Sequence, residues 1–312
     1  MLVFDAIQEF LLACRADGLS PKTLVWYTSI LKTFSEAMEG RELASVQTSE
    51  VRQHLVNLRD RKWKYGDGRR QQKRGGLTPE TINAHGRVLH RFWKWTAIEY
   101  DLKNPMANIK YPPQPKPKEP KAVAMDDVLR LFQACGKDAI GRRNRAVIAF
   151  LLDTGCRAGG VTGLKVRDVD LSNRRAYVIE KGDKQRPVVF TPVTTLLLED
   201  WLKIHSGSEY LFYNMTYKTR LTTSGLEQVL IRLKRKAQIT GRVNPHAFRH
   251  GFAREYLRNG GNLAALAQLM GHDDPSLTAR LYAIFAQDEL AEEHLKYSPM
   301  AKIKMSPRKE DI

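Results

Sequence analysis

The chain has 312 residues, 42% of them apolar, a length and composition that suit two soluble domains with real cores. Its longest apolar run, Ala146 to Leu152, is far too short to cross a bilayer, residues 1–15 carry acids but no basic leader region, and Cys14, Cys135 and Cys156 form no paired motif, so neither a disulfide frame nor a zinc site is implied. The net charge of +17 is spread along the chain, with 20 basic against 13 acidic side chains in residues 1–120 and 31 against 21 in the remainder, so a long polyanion is the favoured partner and solubility the plainer alternative.

Residues 1–110 read as mostly helical. Phe4, Ile7, Phe10, Leu11 and Cys14 fall at helical spacing. Ser20-Pro21 has the form of an N-cap followed by proline at the first helical position, and opens a helix through Leu24, Tyr27, Ile30 and Leu31. Thr78-Pro79 repeats the device ahead of Ile82, Val88, Leu89 and Trp93. Between these lies a basic loop carrying Arg61, Lys62, Lys64, Arg69, Arg70, Lys73 and Arg74 against one acid, Asp67, with Trp63 and Tyr65 interleaved. Such a loop is either a solvated excursion or an arm that grips phosphates, and the latter reading is preferred here.

Residues 111–120 hold five prolines in ten positions, which rules out a helix and predicts an extended strap. The domain boundary falls there: a helical domain over 1–111, a linker over 112–121, a second domain over 122–298 and a tail over 299–312. The second domain begins with helices near Asp126 and from Arg142 to about Asp153. Residues 175–179 and 186–190 are β-rich and flank Gly182-Asp183-Lys184-Gln185, the pattern of a hairpin. Helical patterns return around 194–204, 225–237, 245–259 and 263–270. The fold class is mainly α with a small antiparallel β-sheet (α+β).

Six residues of the second domain form a chemical set: Arg157, Lys181, His246, Arg249, His272 and Tyr282. In Asn244-Pro245-His246-Ala247-Phe248-Arg249, asparagine is a natural N-cap and the three-residue spacing brings the histidine and arginine to one helix face, near an N-terminus that favours anions. Guanidinium forks fit phosphate oxygens and stabilise the charge that develops on phosphorus. Arg157 follows the apolar run and is expected to emerge from a core helix. A lysine at a strand-turn junction can protonate a leaving oxygen, and Lys181 and Lys184 are both placed for this. A tyrosine phenol is a weak nucleophile unless a cationic site favours its phenolate. Each residue taken singly has an ordinary alternative: a surface ion pair, a solvated turn lysine, a capping histidine, a packed tyrosine.

Taken together the motifs resemble those of the tyrosine recombinases of the phage integrase family, whose catalytic domain carries the order Arg, Lys, His-x-x-Arg, His, Tyr. Thr154-Gly155-Cys156-Arg157 resembles the first arginine box, and Lys181-Gly182-Asp183-Lys184-Gln185-Arg186 the hairpin lysine box. Pro245-His246-Ala247-Phe248-Arg249-His250 resembles the central box, Leu269-Met270-Gly271-His272 the second-histidine box and Leu281-Tyr282 the nucleophile box. The resemblance implies an N-terminal helical core-DNA-binding domain joined to a recombinase catalytic domain, clamping double-stranded DNA. It implies Tyr282 as nucleophile, Arg157 and Arg249 as phosphate clamp, Lys181 as general acid, and His246 and His272 as phosphate or proton partners; His250 is expected to be structural. Lys184 and Arg186 join the basic loop as expected DNA contacts.

The resemblance further implies no metal and no nucleotide cofactor, a tetramer on two DNA sites tied by a C-terminal helix over 283–295, no membrane, and a cytoplasmic, nucleoid-associated location. The first helix starts near Met1, which favours a simple Xer-like or mobile-element recombinase without an arm-binding domain. A type IB topoisomerase-like enzyme and a non-catalytic DNA-binding protein on the same fold are the alternatives. The sequence departs from the pattern in two places. Gly160, preceded by Gly159, stands three positions after the first arginine, where an acid is common; this is expected to remove a local hydrogen-bond partner and loosen the helix. The interval from His272 to Tyr282 is one residue longer than is common.

Overall fold

The computed structural model describes residues 1–61, 76–110, 121–180 and 185–271. The chain divides into two compact units, Met1–Pro117 and Lys118–Ile312. The architecture is mainly helical with one small antiparallel sheet. The proline strap, the tail and the segment read as a C-terminal helix lie outside the described residues.

In the first unit four helices, α1 (Val3–Ala16), α2 (Pro21–Ala37), α3 (Thr48–Arg59) and α4 (Pro79–Glu99), surround an aromatic core. Both proline-opened helices start where their caps require: the Ser20 hydroxyl accepts from the Thr23 N–H, and the Thr78 hydroxyl from the Thr81 N–H. α1 buries Val3, Ala6, Ile7, Phe10 and Cys14, whereas Phe4 is 57% exposed. The inward stripe therefore runs through position 3, and Phe4 falls outside it. Phe10, Phe34 and Trp93 pack against Phe92, the Phe10–Phe92 pair edge-on at 5.5 Å between centroids. α3 has no clear apolar signature because His54 occupies the middle of its buried stripe, between Val51 and Leu58.

In the second unit α6 (Ala139–Thr154) is the central helix, burying Ala146, Val147, Ile148, Phe150 and Leu151. Around it lie α5 (Met125–Ala134), α7 (Ala158–Gly163), α8 (Pro192–Leu202), α9 (Thr223–Lys236), α10 (Pro245–Arg258) and α11 (Leu263–Met270). The Asp153 carboxylate, at the end of α6, accepts from the N–H and hydroxyl of Thr191 and from the Thr194 hydroxyl, fixing the start of α8. The sheet is β1 (Val169–Asp170), β2 (Arg175–Ile179) and β3 (Gln185–Val189), all antiparallel in that order. β1 is only two residues long and left no sequence pattern. Pro187 sits in β3, an edge strand, where a missing N–H is tolerated. In β2–β3, Ala176 pairs with Val188 and Val178 with Arg186; Ala176, Val178 and Val188 are buried and their chain neighbours are more exposed, so positions 176, 178, 186 and 188 share the inward face.

His54 and His85 are buried in the first unit, and His54 Nε2 and His85 Nδ1 have no hydrogen-bond partner among the described residues. Burial, then the nearby charges of His85 and Arg61, push the His54 imidazole from 6.5 down to about 4. The folded form therefore stays neutral where the unfolded chain takes up a proton. Stability contributed by neutral His54 is complete above about pH 6.5 and is lost as pH falls toward 4. Protection factors of the amides in α3 and α4, taken relative to the intrinsic exchange rate at each pH, should fall through that window. In His54→Leu this fall should shrink; parallel pH curves for the two proteins would show that His54 is not the responsible group.

Candidate active site

The site is built where α6, α7, the sheet, α10 and α11 meet. α6 ends at Thr154 because Gly155 takes a left-handed conformation (φ 57°), which turns the chain sharply. Arg157, expected to emerge from the core helix, follows this turn as the N-cap residue of α7, with extended backbone. Between them Cys156 is fully buried, and burial pushes its thiol up to about 11, leaving it protonated and unsuited to nucleophilic chemistry at neutral pH.

Arg249 lies on α10, whose start is set by Asn244: its Oδ1 accepts from the Ala247 N–H at 2.8 Å, with Pro245 at the first position. The Arg249 side chain is buried and donates to the Gly155 carbonyl at 2.6 Å and the Met270 carbonyl at 2.7 Å. Those carbonyls belong to the C-terminal ends of α6 and α11, which carry partial negative charge and favour a cation. His246, one turn earlier, is exposed. The ordinary value of His250 is lowered by burial first, then by the charges of His246, Arg249 and Arg242, so the expected structural histidine is held toward neutrality.

The Arg157 guanidinium ion-pairs with Glu180, and the Arg157 N–H donates to Glu180 Oε1 at 3.1 Å. Arg186 donates to both oxygens of the same carboxylate, at 3.3 and 3.4 Å, and through Nη1 to the Leu269 carbonyl at 2.8 Å. Burial alone would raise the Glu180 carboxyl, but the Arg157 N–H and the guanidiniums of Arg186 and Arg157 outweigh it and hold the group below its ordinary value. Gly271 closes α11 in a left-handed conformation (φ 62°), and a Cβ there would lie 2.6 Å from Arg186 Nε.

The structure thus joins two of the six expected catalytic residues, Arg157 and Arg249, through the Gly155–Arg157 turn, and places His246 on the helix that carries Arg249. Lys181, His272 and Tyr282 lie outside the described residues, as do Lys184 and the loop residues Lys62, Lys64, Arg69, Arg70, Lys73 and Arg74. Arg61 is described and half-buried at the end of α3; a Cβ on Gly76 would sit 2.8 Å from its carbonyl oxygen, so the two ends of the basic loop nearly touch. Arg186, read from sequence as a DNA contact, is turned inward: its side chain is 15% exposed and committed to Glu180 and Leu269. The strand register is the reason, since Arg186 pairs with buried Val178. The partner that Gly160 was expected to remove is supplied by Glu180. Sequence reasoning passed over that residue, although it continues the inward alternation of Ala176 and Val178.

Residues 121–288, more than half of the chain, match the phage integrase family. The chain belongs to the phage integrase family of tyrosine recombinases. Tyrosine recombinase XerC of Vibrio vulnificus strain YJ016 is 28% identical over 315 aligned positions, covering 98% of this chain and 94% of that protein. The fold is shared with the Tn1549 transposon integrase in complex with transposon right-end DNA, at a TM-score of 0.73 and 19% identity, covering 94% of this chain and 99% of that one. It is also shared with a lambda integrase tetramer bound to a Holliday junction, at a TM-score of 0.70 and 16% identity, covering 88% and 78% respectively.

The turn that joins the two arginines depends on Gly155 having no side chain. A Cβ there would meet the Phe252 ring at 2.5 Å in addition to the left-handed backbone. Gly155→Ala should destabilise the second unit by about 1–3 kcal/mol from the backbone alone, read as a lower urea midpoint. An unchanged midpoint would mean that the turn relaxes freely.

Proposed function

We propose that this recombinase cuts and rejoins duplex DNA at specific sites through a covalent bond between Tyr282 and a DNA 3′ phosphate. The observation that carries the reading is the shared anchorage of Arg157 and Arg249 on one turn of the chain, in a member of a strand-exchanging family. Two guanidiniums so placed can hold the non-bridging oxygens of one phosphate and stabilise the added charge of its transition state.

In this reading the Tyr282 oxygen forms a bond to phosphorus as the bond to the 5′ oxygen breaks. The phenol proton leaves to His246 or solvent, and Lys181 supplies a proton to the departing 5′ oxygen. His272 hydrogen-bonds the phosphate. The phosphotyrosyl bond keeps the free energy of the broken linkage, so the 5′ hydroxyl of a partner strand can attack and reseal without an external energy source. The kinship to XerC favours exchange between sites over relaxation of supercoils, and over passive binding.

DNA binding and oligomerisation accompany this activity in the family's solved complexes, including the lambda integrase tetramer on a Holliday junction. The finer proposal is a tetramer in which residues 283–295 pack on a neighbouring subunit. A groove of about 340 Å³ in the second unit, lined by Phe132, Leu152, Val193, Leu197, Phe252 and Tyr256, offers apolar surface of the kind such a segment needs. Residues 1–111 would act as the core-DNA-binding domain. No described helix is long and apolar enough to cross a membrane, and an activity on genomic DNA would place the protein in the cytoplasm beside the nucleoid.

Tyr282→Phe should bind a nicked suicide duplex nearly as well as the wild type yet form no covalent adduct on denaturing gels. Adduct formation by that variant would identify another nucleophile. Arg249→Ala should slow adduct formation by about a hundredfold or more, the effect of losing one preorganised charge donor. In the basic loop, Arg69, Arg70, Lys73 and Arg74 replaced together by Ala should flatten the dependence of log K on log salt by about 0.9 for each phosphate that is no longer neutralised. An unaltered slope would make the loop a solvated excursion.

A further inference from the structure

We infer that Glu180 is a positioning residue for the phosphate clamp, and that Gly160 is small so that the Glu180 carboxylate can occupy the space in front of it; the inference rests on the recombinase reading above. Four observations converge. The carboxylate holds Arg157 at both its backbone and its guanidinium, so the rotation of that side chain is fixed relative to its own main chain. It binds Arg186 at the same time, and Arg186 reaches the Leu269 carbonyl, one residue from the carbonyl that holds Arg249. The two clamp arginines are thereby indexed to each other through the end of α11. The Glu180 side chain is 6% exposed and the Arg157 side chain 37%, so the acid is withdrawn from water while the arginine keeps an open side.

The fourth observation is the space at Gly160. A Cβ there would stand 3.5 Å from Glu180 Cγ and 3.5 Å from its Oε1. An alanine would be in ordinary contact. A longer side chain would compete with the carboxylate for one position against Arg157. The same geometry means that an acid placed at residue 160 could approach that position from α7 once the acid at residue 180 was removed. Glu180 also immediately precedes Lys181 in the chain, so the carboxylate that orients the clamp anchors the strand end from which the general acid departs. Loss of Glu180 should therefore act on the chemical step more than on DNA affinity, because uniform binding to the duplex does not pass through it.

The experiment compares wild type, Glu180→Gln, Glu180→Gly, Gly160→Glu and the double variant Glu180→Gly/Gly160→Glu. Covalent adduct formation is measured in single turnover at saturating suicide duplex, together with DNA Kd and urea midpoint. Glu180→Gln should slow adduct formation by about tenfold or more, with Kd within about threefold of wild type. The double variant should recover most of the rate, while Glu180→Gly and Gly160→Glu alone stay slow. A second readout needs no cleavage: in the DNA-free protein, phenylglyoxal should modify Arg157 slowly in the wild type, faster in Glu180→Gln and Glu180→Gly, and slowly again in the double variant. Wild-type adduct formation tests the recombinase reading separately. A wild-type rate in Glu180→Gln, a double variant no faster than Glu180→Gly, or equal Arg157 modification throughout would overturn the positioning role.

Discussion

The candidate site of the second unit is organised around the buried guanidinium of Arg249. The Arg249 guanidinium joins the C-terminal carbonyl ends of α6 and α11 from a seat on α10, and so fixes three helices around a single planar group. A charge removed from water is tolerated only where acceptors replace its hydration, and helix C-termini supply both carbonyl lone pairs and a favourable field. The arrangement is demanding because each acceptor carbonyl lies at a glycine-controlled turn: Gly155 accepts directly, and Met270 precedes Gly271. A rigid guanidinium in a defined place is also what phosphate recognition requires. In the function proposed above, the structural and the chemical demands on one side chain coincide.

Arg157 obeys a different logic. It is partly exposed, and a lone exposed arginine would spread over many rotamers, losing entropy whenever a phosphate ordered it. In the positioning role inferred above, Glu180 reduces that cost by holding the side chain before a phosphate arrives. The carboxylate also offsets part of the charge of Arg157 and Arg186 in the absence of DNA, while its own ionisation is secured by the same partners. One acid on the inward face of a small sheet thus holds two arginines at once. His246, one turn before the buried Arg249, is exposed, so the candidate site grades from a buried arginine to an open surface.

Much was readable from local pattern. Ser20, Thr78 and Asn244 cap helices followed by proline, and their side-chain hydrogen bonds are local, so a few residues suffice to specify them. The central helix and the hairpin strands followed from apolar period. The family motifs followed from residue order, which survives when spacing and surroundings vary. α3 was hidden because a neutral histidine sits in its buried stripe, and β1 because two residues carry no period. The short helix that Arg157 opens was hidden because the left-handed turn at Gly155 is encoded by one glycine among many.

The sequence by itself determined the class of fold and the family, because these rest on local capping, on periodicity and on a fixed order of residue types. Only the tertiary structure decided which groups surround Arg157 and Arg249. That Arg186 faces inward and Glu180 takes the place left open by Gly160 depends on the register of β2 against β3 and on the approach of α7 to the sheet. Those are distances between segments far apart in the chain, and they are set by close packing of the whole unit, which no short window of sequence contains.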